Sequence, residues 1–109
     1  MIFHVVPAAD WTAAPERPYA PASLAAEGFV HCSADEASAL AVADAYYREV
    51  PELLVLVIDE AGLGAEVRRE GTGGRFPHVH GPVERSAVRA VMTVRRDAEG
   101  RPHRLIPWN

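Results

Sequence analysis

A chain of 109 residues with 49% apolar and 24% charged content accommodates one domain, residues 1–109, around one core. A formal charge of -4 gives no support for strong unspecific attachment to nucleic acid, and no run approaches the roughly 18 apolar residues of a membrane span. Met1 to Val6 lacks the features of a signal peptide, and the single cysteine, Cys32, excludes an internal disulfide and a cysteine-based zinc site, so the chain is expected in the cytoplasm.

In chain order, Ile2 to Val6 reads as a β-strand stopped by Pro7 and carrying His4, and Asp10 or Thr12 is placed to open a short helical turn before Pro15. Prolines punctuate a loop from Pro15 to Pro21. Pro21 suits the first turn of a helix through Ala26, and Gly28 suits its left-handed exit. Phe29 to Cys32 predicts a second strand. Ser33 followed by Glu36 matches a capping box, and Ala39, Val42, Ala43, Tyr46 and Val50 recur with helical spacing up to Pro51.

Leu53 to Ile58 is an unbroken apolar run, expected as a central strand covered on both faces, with Asp59 and Glu60 as its polar exit. Ala65 to Arg69 predicts a short strand, followed by Gly71 to Gly74 as a flexible approach to the Phe76-Pro77-His78 segment. Val88, Ala90, Met92 and Val94 alternate with Arg89, Val91, Thr93 and Arg95, the pattern of a strand with one face on the core. Asp97 to Gly100 then turns the chain, so the stretch through Ile106 is expected to pair back as a hairpin. About five or six strands and two or three helices, with one long helix between strands, predict a mixed α+β fold.

The histidines carry the functional signal. His4 reads either as a half-buried strand residue bonded to backbone or as a pocket residue. His31 lies just before a helix whose first turn has free N–H groups, a place suited to an anionic or carbonyl-bearing ligand. His78 and His80 face the same way in an extended chain and could share a metal with His4, His31 or Glu70, but no third ligand stands beside them in sequence. His103 is expected at the surface. Strand alternation puts Cys32 opposite His31, so a core thiol is expected there rather than a nucleophile, and Ser33 reads as the helix cap.

The order Ile2-Phe3-His4-Val5, Asp10-Trp11, Glu27-Gly28-Phe29-Val30-His31-Cys32-Ser33, Leu53 to Asp59 and Phe76-Pro77-His78-Val79-His80-Gly81-Pro82 resembles the small bacterial Domain of Unknown Function 952 family over nearly the whole chain. That family is similar to the ADP-ribosyltransferase-like group, which includes RNA 2′-phosphotransferases. The resemblance implies a compact split β-sheet core, with two or three helices, around an NAD-binding cleft. It also implies His4 at the nicotinamide-side ribose, His31 flanking the nicotinamide, and a catalytic carboxylate from a late strand, for which Glu70 is the candidate and His78 or His80 the substitutes. Tyr19 and Phe76 are the stacking candidates, and Ser33, His78 and His80 are expected to complete the nucleotide contacts. The phosphate-binding arginines of the RNA-directed branch have no match here.

NAD or an ADP-ribose-type nucleotide is therefore the expected ligand, NAD the expected substrate, and transfer of ADP-ribose to an unread acceptor the expected reaction, with no metal. Two alternatives stay open: a non-catalytic nucleotide-binding or interaction domain, and a metal-dependent hydrolase built on His78 and His80. Monomer and dimer fit equally.

Overall fold

The computed structural model describes residues 1–108. Among them the chain forms seven strands, β1 (Ile2–Pro7), β2 (Val30–His31), β3 (Leu53–Ile58), β4 (Val67–Glu70), β5 (Phe76–Val79), β6 (Val88–Arg96) and β7 (Pro102–Pro107). Three α-helices join them: α1 (Ala8–Thr12), α2 (Ala22–Glu27) and α3 (Glu36–Tyr46). All strand pairs are antiparallel, in two sheets ordered β1-β3-β6-β7 and β2-β5-β4. The mixed α+β architecture follows, with one strand more than the sequence pattern predicts.

The apolar run of β3 explains the layering. Leu54, Leu56 and Ile58 face the smaller sheet, where they meet Ile2, Val6, Val30 and Val79, while Leu53 and Val55 face α3 through Ala39 and Ala43. A strand covered on both faces needs apolar residues at every position, and β3 supplies them. β1 lies beside β3 with His4 opposite Leu56, so the His4 side chain points between the two sheets. Phe3 and Ser33 exchange backbone hydrogen bonds of 2.9 and 2.7 Å, which fasten the end of β2 to β1.

Several boundaries differ from expectation. α1 starts at Ala8 directly after Pro7, so neither Asp10 nor Thr12 opens it, and Thr12 instead donates back to the Ala8 carbonyl at 3.1 Å. β2 is two residues long, because Cys32 and Ser33 bond to Pro77 and Phe3 on different neighbours. The α3 cap is Asp35, whose carboxylate accepts the Ser38 N–H at 2.7 Å, and not Ser33, which is buried in the bridge to Phe3. Tyr46, expected on the core face of α3, is 79% exposed.

The early strand of the smaller sheet is Val67–Glu70 rather than Ala65 to Arg69. In β6 a bulge opposite Val57 and Ile58 breaks the alternation: Val88 and Val91 pack between the sheets, and Met92 and Val94 under α3. Gly28 does end α2 in the left-handed region, at φ 87°. The hairpin turn forms at Asp97, whose carboxylate accepts the Glu99 and Arg101 N–H groups.

Candidate functional site

Residues of β1, the β2 edge, the start of α2 and the end of α3, with Glu70, Phe76 and His78 of the smaller sheet, line a cleft of about 700 Å³. Its walls include His4, Tyr19, His31, Ser33, Glu70, Phe76 and His78. These are all the candidate site residues of the sequence except His80. His80 does not line the cleft; its ring lies 5.6 Å from that of Phe29.

His4 is buried and doubly bonded. Its Nδ1 donates to the His31 carbonyl at 2.6 Å, and its Nε2 accepts the Tyr19 hydroxyl at 3.2 Å. Burial pushes its pKa down to about 4, against a weaker upward pull from the His31 carbonyl, so the imidazole is neutral near pH 7. Burial likewise pushes the Tyr19 hydroxyl above its ordinary range, which keeps it a donor. The half-buried reading of His4 is thus corrected: it is a core residue that also faces the cleft.

His31 contributes in two ways. Its carbonyl orients His4, whereas its ring is exposed and meets Glu27 at 2.6 Å, one helical turn back from the strand. His78, opposite His31 on β5, presents its ring edge to it at 5.6 Å and stacks on Phe29 at 4.0 Å. Desolvation, with His31 next, lowers the His78 pKa. Glu70 and Phe76 are partners in the β4–β5 register and meet the cleft together. Cys32 also lines the cleft but is buried, its thiol pushed up to about 12, chiefly by burial.

The wall carries Asp10 and Glu70 but no arginine. Among the described residues, no three His, Cys, Asp or Glu side chains converge as a ligand set, so His78 and His80 find no third metal ligand. Sequence reasoning missed Asp10, Val42 and Tyr47 on the cleft wall, whose types carry no signal of their own. It also missed Glu27, although its spacing of four from His31 was a readable clue.

Arg85 was missed as well. Its guanidinium bonds the carbonyls of Arg17, Trp11 and Ala14 at 2.7, 3.0 and 3.0 Å and lies 4.1 Å from the Trp11 ring centre, holding the segment that delivers Tyr19.

Two antiparallel sheets, a few helices and a histidine-bearing cleft define a small α+β domain. The chain belongs to the family described as protein of unknown function (DUF952), which matches residues 5–91. It is similar to protein CC0527 from Caulobacter crescentus: the crystal structure is 31% identical with a TM-score of 0.80, covering 94% of this chain and 92% of that one. The solution structure of the same protein is 30% identical with a TM-score of 0.75, covering 94% and 90%. No curated protein matches the chain.

Proposed function

We propose that the cleft binds the nicotinamide-ribose end of NAD, or a related ADP-ribose-type nucleotide, within an ADP-ribosyltransferase-like split-sheet core. The observation that carries this reading is the convergence of His4, Tyr19, His31, Ser33, Glu70, Phe76 and His78 on one cleft from separate strands and loops. A volume of about 700 Å³ lies within the roughly 300–1,000 Å³ of small-molecule sites. The lining also suits the ring. A pyridinium is a flat cation, and aromatic and imidazole faces beside the Asp10 and Glu70 carboxylates, with His4 neutral and no arginine on the wall, favour it.

Glu70 is the carboxylate assigned to the chemistry. When the bond between ribose C1′ and nicotinamide breaks, its electron pair leaves with the nicotinamide and positive charge grows on the sugar, which a nearby carboxylate stabilises. The hydroxyl of water or of an acceptor then bonds to C1′ and passes its proton to Glu70. His4 and His31 orient the ribose and the ring.

Calorimetry with NAD, ADP-ribose and nicotinamide on the parent, His4→Ala and His31→Ala proteins tests the reading. Binding that weakens in the variants supports it. No binding of any of the three to the parent sinks the nucleotide assignment, and undiminished binding in both variants sinks the residue assignment. Nicotinamide release by the parent that is lost in Glu70→Gln identifies a transferase or hydrolase; binding without release leaves a nucleotide-binding domain.

A further inference from the structure

Three large apolar side chains remain exposed among the described residues, and two of them, Tyr46 at 79% and Phe76 at 38%, stand at one ridge. Internal packing gives no reason for this placement. On one side of the ridge Val42, Tyr46 and Phe76 line the cleft; on the other they line a second groove of about 500 Å³ along α3. The two hollows therefore adjoin, with these side chains as their common wall.

The second groove holds the cation that the cleft lacks. Arg75 lines it, is exposed, and takes part in no side-chain ion pair among the described residues. Asp35, the acid in the groove, accepts the Ser38 N–H at 2.7 Å, which with a weaker pull from the Arg75 charge holds its carboxyl below the ordinary range. Ala37, Ala41 and Ala45 form the helix wall, one turn apart, and leave a flat ring room to lie against it.

We infer that this groove holds the diphosphate and purine half of the nucleotide whose nicotinamide half occupies the cleft, an inference that rests on the nucleotide reading above. A guanidinium presents paired N–H donors that match phosphate oxygens, and exposed aromatic faces stack on any base. Arg75 takes the diphosphate inside the second groove, and Tyr46, at the ridge, turns a face to the same groove for the purine. This division explains how a cleft without an arginine serves a ligand with two phosphates.

The test is calorimetry with nicotinamide riboside, ADP-ribose and NAD on the parent, Arg75→Ala and Tyr46→Ala proteins. Both positions are exposed, and unchanged melting of the unliganded variants confirms intact folding. NAD and ADP-ribose are expected to bind about tenfold more weakly to each variant. Nicotinamide riboside is expected to bind Arg75→Ala within about twofold of the parent. NAD and ADP-ribose binding that is unchanged in both variants yet lost in His4→Ala overturns the groove assignment and leaves the cleft reading standing. Equal weakening of nicotinamide riboside by Arg75→Ala also overturns it. Failure of all three ligands to bind the parent overturns both.

Discussion

The His4 imidazole accepts the Tyr19 hydroxyl proton at Nε2 across 3.2 Å inside the core. The tautomer follows from the other nitrogen. The His31 carbonyl can only accept, so Nδ1 carries the proton, and the neutral ring has its lone pair at Nε2 for Tyr19. One ring thus ties together β1, the end of β2 and the segment that carries Tyr19. A ligand that bonds His4 from the cleft must take over the place of Tyr19 at Nε2.

Stability is expected to fall between pH 7 and 5, before most carboxylates titrate. The folded pKa of His4, about 4, lies below the ordinary 6.5, so the unfolded chain takes up the proton first. The stability is full above pH 6.5 and is lost as pH falls toward 4; by pH 5 the loss is about 2 kcal/mol. His78, lowered as well, adds in the same direction. Urea titrations of the parent and His4→Asn check this: a slope over that range equally steep in His4→Asn excludes His4 as its source.

Tyr19→Phe is expected to destabilise the fold by about 1–3 kcal/mol, because it removes the donor and leaves a buried imidazole nitrogen without a partner. The Tyr19 ring stays, so packing against Trp11, at 5.9 Å between centroids, is conserved. Urea denaturation measures the cost, and a change below about 0.5 kcal/mol shows that the hydroxyl contact contributes nothing net.

These residues also show how far the sequence could be read. β3 was legible because its cover on both faces demands an unbroken apolar run, and the β6–β7 hairpin because Asp97 and Gly100 are local turn chemistry. The cap of α3 was not. Ser33 and Asp35 both suit a helix start, and the choice depends on Ser33 pairing with Phe3, a contact 30 positions away in the chain. Tyr46 fitted the helical period yet stays exposed, since a period gives a face and not how far the neighbouring sheet extends beneath it. The site was legible as a set of residue types, His4, His31, Glu70 and His78, but not as an arrangement: the group of His31 that orients His4 is a carbonyl, and carbonyls leave no mark in a sequence.

Arg85→Lys is expected to cost about 2 kcal/mol and to loosen the segment between Trp11 and Tyr19. A lysine cannot reach three carbonyls in the directions that the guanidinium fork serves, and it loses the flat contact with the Trp11 ring. Amide exchange at Arg17, whose N–H bonds the Ala14 carbonyl, should quicken, while exchange in β3 changes only with the overall stability. Unaltered exchange at Arg17 rules out the fastening role.

Cys32 is expected to resist alkylation in the folded protein. Its thiol, pushed up to about 12 by burial and secondarily by the Glu60 charge, has almost no thiolate at pH 8, and its position between the sheets blocks a reagent as well. Iodoacetamide at pH 8 should label the native protein at least about 100-fold more slowly than the urea-unfolded chain, as read by mass spectrometry. The same shift has a consequence for stability. Because the folded pKa lies above the ordinary 9.0, the unfolded chain loses its proton first, and stability falls as pH rises from 9 toward 12. Rapid native labelling at pH 8 contradicts the burial of the thiol and makes Cys32, which lines the cleft, a reactive group there.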